Sequence, residues 1–216
     1  MSRVIGLTGG IATGKSTVSN LLKKHGFHIV DADLASRKAV EKGSKGLEEV
    51  REVFGDEAII DGEMNRQYIG QIVFNDENMR NKLNNIIHPK VREIMEDEKQ
   101  QALNEGKNVI MDIPLLFENQ LQDTVDETWL VYTNETNQIN RLKERNQLTD
   151  DEALSRIRSQ IPIEEKRHLA DETIENNGTK EDLESTIIQF LTAKNYKTTW
   201  FYNNFKFELL IFWCVL

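Results

Sequence analysis

One octapeptide constrains this chain more than any other. Gly9–Ser16 reads GGIATGKS and satisfies G-x-x-x-x-G-K-[ST], with an apolar, β-branched opening before it and a stretch of helical period to about His25 after it. That context is a buried strand running into a glycine loop, and the loop into a helix. Glycines let the main chain wrap closely around phosphate oxygens, and the helix turns its first N–H groups on them. Lys15 carries a mobile positive charge to the β and γ phosphates, and Ser16 offers a hydroxyl to Mg²⁺. Gly10, Ile11, Ala12, Thr13, Gly14, Lys15, Ser16 and Thr17 are therefore the expected nucleotide contacts.

Phe27–Val30, Asn108–Met111 and Thr128–Tyr132 are further short apolar runs between long stretches of helical period. Strands alternating with helices imply an α/β fold with a mostly parallel sheet covered on both faces. From Asp33 to Lys107 no strand pattern stands out over roughly 70 residues, far more than a simple crossover needs. That span is expected to form a helical subdomain. Thr133–Leu169 is helical and rich in Arg and Lys, as a mobile cover over an anionic site would be. The expected organisation is a core of residues 1–32, 108–134 and 170–194, a helical region 33–107, a lid 135–169 and a tail 195–216.

With 216 residues, 38% hydrophobic and 29% charged, the chain has enough apolar surface for one core with attachments. A net charge of −9 argues against broad binding to nucleic acid, which requires clustered cations. The single Cys214 forms no internal disulfide and MSRVIGL lacks the pattern of an export signal, so the expected location is the cytoplasm. Eight of the 16 aromatics lie in the last 22 residues. The closing LLIFWCVL is too short to span a bilayer, which takes about 20 apolar residues. A terminal helix, an oligomer contact and an extension unrelated to catalysis all stay open for this tail, and a monomer is the expected state.

Val109–Asp112 is an apolar strand ending in a carboxylate, as suits the acidic partner of a metal at the cradle. GTPases, motor ATPases and small-molecule kinases share such cradles, so other residues must choose between them. No aspartate has glycine three residues on, as a γ-phosphate-sensing D-x-x-G would require. Thr179-Lys180-Glu181-Asp182 imitates a guanine-reading T-K-x-D but reads as a helix start, with Thr179 as N-cap and Asp182 at the third position. A kinase needs a carboxylate beside the acceptor hydroxyl and cations on the transferring group. Asp31 and Asp33, closing the second strand, meet that need, since ligands collect at the carboxyl ends of parallel strands. Extended alternation would turn both to one side. The competing reading makes Asp33 an N-cap and Asp31 a solvated loop residue.

GLTGGIATGKST (6–17), VDADLASR (30–37), NRQYIGQIVF (65–74), IIHPKVR (86–92), DIPLLFE (112–118), NRLKER (140–145), RIRSQIPIEEKRHLAD (156–171) and IENNG (174–178) together resemble the dephospho-coenzyme A kinase family. The resemblance runs to about residue 194. It implies a P-loop core with a parallel five-stranded sheet, a helical substrate-binding insertion and a helical lid. It also implies transfer of the γ-phosphate of ATP, with Mg²⁺, to the ribose 3′-hydroxyl of dephospho-CoA.

By that resemblance Asp33 is the catalytic carboxylate, orienting or deprotonating the hydroxyl. Lys15 and Arg141 are the cations on the transferring phosphoryl, with Arg145 assisting one turn on. Asp31, Arg37, His88, Arg92, Leu115, Leu116, Phe117 and Glu118 belong to the acceptor side. Simple packing is the other reading of Leu115, Leu116 and Phe117, and a structural role that of His88. Asn176 borders the adenine, and Ser16 with Asp112 serves the metal. Asn65-Arg66 departs from the family's Asp-Arg. A kinase of another nucleoside or nucleotide, and a nucleotide-gated binding protein signalling through the aromatic tail, remain as alternatives.

Overall fold

The apolar runs become strands of one sheet in a computed structural model that describes residues 2–196. In chain order the elements are β1 (Val4–Gly9), α1 (Lys15–Lys24), β2 (His28–Asp31), α2 (Ala32–Lys38), α3 (Lys45–Phe54), β3 (Ile59–Ile60), β4 (Glu63–Met64), α4 (Arg66–Asn75) and α5 (Glu77–Asn104). There follow β5 (Val109–Asp112), β6 (Glu127–Tyr132), α6 (Glu135–Asn146), α7 (Asp150–Arg158), α8 (Ile163–Leu169), β7 (Glu172–Glu175) and α9 (Lys180–Ala193).

The five-stranded sheet has the order β2-β5-β1-β6-β7, with β1 parallel to both β5 and β6 and β6 parallel to β7. Leu7 stands opposite Asp112 in this register. The end of β5 therefore comes level with the place where β1 gives way to the glycine loop.

Alternation along β6 serves both faces of the sheet. Trp129 and Val131 join Ile5, Leu7, Ile110 and Ile174 beneath Val18, Leu21 and Leu22 of α1 and Leu183, Ile187 and Leu191 of α9. Leu130 and Tyr132 face the other way, onto Ile163 of α8. Each such side chain, fully buried, contributes about 1.5–3 kcal/mol of transfer free energy. This two-sided burial is why the strands read as unbroken apolar runs. The strand β7 escaped the sequence reading because Glu172-Thr-Ile-Glu offers one core residue, Ile174, between polar neighbours.

The chain forms two compact units. One runs to Ile29 and resumes at Ala102, and the other is Val30–Gln101. The second has its own core, in which Val40, Leu47, Val50, Phe54, Ile69 and Ile86 are buried together. It is mainly helical, but the expectation of no strand in this region is corrected by the β3–β4 hairpin. Its tip is Asp61-Gly62, with φ of 54° and 82°, the dipeptide that two-residue hairpin turns favour. The flanking strands are only two residues each, too short to show alternation. Asn65 caps α4 by accepting from the Tyr68 N–H, while its Nδ2 donates to the Glu57 carbonyl. An aspartate there would cap equally well but could not donate.

Pro89 lies inside α5 and has no N–H to offer the preceding turn. The Lys90 ammonium bonds the Ile86 carbonyl at 3.2 Å and the Glu49 carboxylate at 2.6 Å, tying α5 to α3 one residue past the proline. Just past α9 Tyr196 packs, partly buried, against the core, its ring centroid 5.1 Å from Phe27 and 5.8 Å from Trp129. The rest of the aromatic tail lies outside the described residues. Among those described, no helix is long and apolar enough to cross a membrane.

Gly46 in α3 sets a test of the second unit. A Cβ there would lie 2.0 Å from the Ala39 carbonyl oxygen and 2.9 Å from the Lys90 side chain. Overpacking against main chain costs about 1–3 kcal/mol, so Gly46→Ala is expected to lower the unfolding free energy by that much and shift the urea midpoint down accordingly. An unchanged midpoint would mean that α3 and the segment before it do not approach this closely.

Candidate active site

The glycine loop connects β1 to α1 by two left-handed residues, Ala12 at φ 61° and Gly14 at φ 88°. Gly14 has no substitute. Beyond its positive φ, a Cβ would meet the Asn176 amide nitrogen at 2.3 Å. The Thr13 hydroxyl and N–H both return to the Gly10 carbonyl, at 2.9 and 3.3 Å, and close the turn from within. Lys15 opens α1, and its ammonium pairs with the Asp112 carboxylate at the end of β5. Asp112 is only 4% exposed, so its charge requires a cation beside it. Ser16 and Thr17 follow in the first turn of α1, Ser16 exposed and Thr17 half-buried.

The outside of the loop is gripped by residues far along the chain. Asn176, directly after β7, donates from Nδ2 to the Thr13 carbonyl at 2.7 Å. Arg141 of α6 donates to the Thr13 carbonyl at 3.4 Å and to the Asn176 carbonyl at 2.9 Å. Gln138, one turn earlier on α6, donates to the Ile11 carbonyl at 2.7 Å, and Gln160 accepts from the Ile11 N–H at 2.9 Å. An open cleft of about 910 Å³ lies beside this junction, lined by Gly14, Thr17, Leu21, Arg141, Asn176 and Lys180 among others. The imitation of a guanine-reading motif is a capping box, as expected, with Thr179 and Asp182 bonding reciprocally at the start of α9.

The helices expected to cover the site are also fastened to the core. Lys166 of α8, 0% exposed, pairs with Glu118 at 2.6 Å, and the same Glu118 oxygen accepts from the Ile161 N–H at 3.2 Å. The Tyr132 hydroxyl donates to Glu164 at 2.5 Å, a bond that raises the phenol above its ordinary range, and Arg167 stacks 4.5 Å over the same ring.

DIPLLFE therefore divides its work. Leu116 and Phe117 fill core, Leu115 stays 39% exposed, and Glu118 accepts from the chain before α8 and neutralises a buried lysine on it. Arg145 is exposed and donates to the neighbouring Asn146. Gln138 and Gln160 were not singled out from the sequence, and Lys166 counted only among the cations of the expected cover, where the structure instead buries it against Glu118. Glutamine and lysine on polar helices carry no local signal of burial, and only the apolar spacing around them hinted at an inward face.

In the second unit the expected geometry at Asp31 and Asp33 is corrected. The chain does not stay extended through them. Asp31 is the N-cap of α2, its Oδ1 accepting from the Asp33 N–H at 2.8 Å and the Leu34 N–H at 3.0 Å. Asp33 is therefore a first-turn helical residue, and the strand-like alternation that would put both on one side does not hold. The competing assignment of Asp33 as N-cap was off by two residues. Asp33 and Arg37 are exposed and one helical turn apart on α2, as are His88 and Arg92 on α5.

Comparison with known proteins agrees along nearly the whole chain. A family model described as dephospho-CoA kinase matches residues 3–182. A dephospho-CoA kinase of Staphylococcus saprophyticus is 61% identical over 197 residues, covering 91% of this chain and 96% of that protein. One of Staphylococcus aureus strain N315 is 58% identical over the same length, covering 91% and 95%. Among solved structures, dephospho-CoA kinase from Campylobacter jejuni superposes with a TM-score of 0.68 at 29% identity, covering 89% of this chain and 96% of that one. TT1252 from Thermus thermophilus gives 0.77 at 34% identity, covering 90% and 98%.

The Glu118–Lys166 pair generates a prediction of its own. Removing one member of a buried pair leaves the other uncompensated, at about 3–5 kcal/mol, whereas replacing both by apolar residues is often nearly neutral. Glu118→Leu should unfold at much lower denaturant, and Glu118→Leu with Lys166→Met should recover most of the loss. A Glu118→Leu protein with wild-type stability would reassign the carboxylate away from this structural role.

Proposed function

This chain belongs to the dephospho-CoA kinase family, and we propose on that footing that it transfers the γ-phosphate of ATP to the ribose 3′-hydroxyl of dephospho-CoA, yielding CoA and ADP. The observation that carries the reading is the cradle itself, with Lys15 and Asp112 opposed where β1 and β5 end. A cation and a carboxylate meeting at the mouth of a glycine loop are what a metal-bound triphosphate requires.

The Ser16 hydroxyl and the Asp112 carboxylate are oxygen donors, the kind Mg²⁺ takes, and Asp112 already holds one positive charge. Ser16 and Asp112 would hold the metal, which would supply positive charge to offset that of the phosphates. The protein's own residues do the rest. Loop N–H groups and the start of α1 receive the phosphates, and Lys15 exchanges Asp112 for phosphate oxygens. Arg141, lining the cleft beside Gly14, supplies the second cation, with Arg145 as an auxiliary. Asn176 borders the nucleotide chiefly by holding the loop. Asp33 orients the acceptor hydroxyl, and Asp31 fixes the first turn of α2 on which Asp33 stands. Arg37, His88, Arg92 and Leu115 are the exposed candidates for the acceptor's phosphate and pantetheine groups.

The transition state spreads charge over the equatorial oxygens, so positioning and cations matter more than strong base chemistry. Incubating the protein with Mg-ATP and dephospho-CoA should give a product heavier by one phosphoryl, located on the 3′ oxygen. Turnover of another nucleoside in preference would overturn the acceptor assignment. Asp33→Asn should leave ATP affinity unchanged while lowering kcat by about two to four orders of magnitude, the scale of a general-base contribution. Wild-type turnover in that variant would remove Asp33 from the chemistry.

A further inference from the structure

The main chain of the loop is held at one residue from both sides. The Ile11 N–H donates to Gln160 Oε1 at 2.9 Å, and the Ile11 carbonyl accepts from Gln138 Nε2 at 2.7 Å. Both amide orientations follow from chemistry alone, since an N–H must meet the amide oxygen and a carbonyl the amide nitrogen. Gln138 is 1% exposed, and both glutamines come from the helical segment expected to act as a lid. The next residue, Ala12, sits at φ 61°, a left-handed conformation unfavourable for an L-residue that persists only where surrounding structure imposes it.

We propose that Gln138 and Gln160 are positioning residues for phosphoryl transfer, a pair of side-chain amides that clamps the two peptide groups flanking the Ile11 Cα and holds the phosphate loop in its nucleotide-ready curvature. This rests on the kinase reading above. Neither residue touches substrate in this role; both act through the loop. Gln138 also shares α6 with Arg141, which bonds the Thr13 carbonyl. The helix is thus stapled to the loop at residues 11 and 13, and the cation meant for the phosphoryl is set by the same element that sets the cradle. Release of the clamp lets the loop populate other conformations. Apparent nucleotide affinity then falls by the fraction that stays competent.

The test is calorimetric titration of the intact protein with ATP, with initial rates measured against both substrates. Gln138→Met and Gln160→Met remove each amide at nearly constant volume. Each is expected to weaken ATP binding about tenfold, the effect of one buried main-chain group left unpaired. KM for dephospho-CoA should stay within about twofold in both. The double variant should fall little below the worse single, because the two amides brace adjacent peptide groups of one residue and are coupled through it. Thermal unfolding confirms that the variants are folded, and Gln160, half-buried, decides the matter should Gln138→Met not fold. ATP affinity within about twofold of wild type in a folded Gln160→Met protein, or equal losses for ATP and acceptor, overturns the proposal. A wild-type protein that binds no ATP overturns the kinase reading instead, and the clamp with it.

Discussion

A loop that is to wrap a triphosphate must keep inward N–H groups free of internal partners, and so it cannot stabilise itself as a helix or strand does. Here that constraint is met from outside. The Thr13 carbonyl is taken by Asn176 and Arg141, the Ile11 carbonyl and N–H by Gln138 and Gln160, and only Thr13 to Gly10 closes within the loop. These partners come from α6, from the turn after α7 and from the end of β7. Much of the chain beyond residue 130 is thereby committed to the shape of eight residues near its start.

Charge follows the same economy. Every strongly buried ionic group described above has a counter-charge from a different element: Asp112 has Lys15, and Lys166 has Glu118. The first pair lies at the mouth of the glycine loop, where the proposed function would give its members phosphate and metal as new partners. The second is remote from exchange and joins the segment after β5 to α8. The contrast explains why two carboxylates close together in the sequence, Asp112 and Glu118, serve different ends.

The reading of DADLASR shows where local patterns stop. That a carboxylate pair follows the second strand is plain from the residues, and so is the start of a helix nearby. Which aspartate caps depended on where the main chain turns, and Asp31 captures the Asp33 and Leu34 N–H groups two residues before the expected position. The hairpin at Asp61-Gly62 was likewise written in a favoured turn dipeptide, but strands of two residues leave no period to detect. The strand β7, with one core side chain, is a strand because β6 offers it hydrogen bonds, not because its composition demands it.

The sequence by itself determined the cradle, the parallel α/β order of β1, β2, β5 and β6, the capping box at Thr179 and the family, because each rests on spacing within a short stretch or on several such stretches in series. Tertiary structure alone decided that Leu116 and Phe117 are core, that Glu118 neutralises Lys166, and that Gln138 and Gln160 seize the main chain of the loop at Ile11. Polar side chains acquire such roles only when distant segments meet, since a hydrogen bond depends on distance and direction in space and leaves no period along the chain.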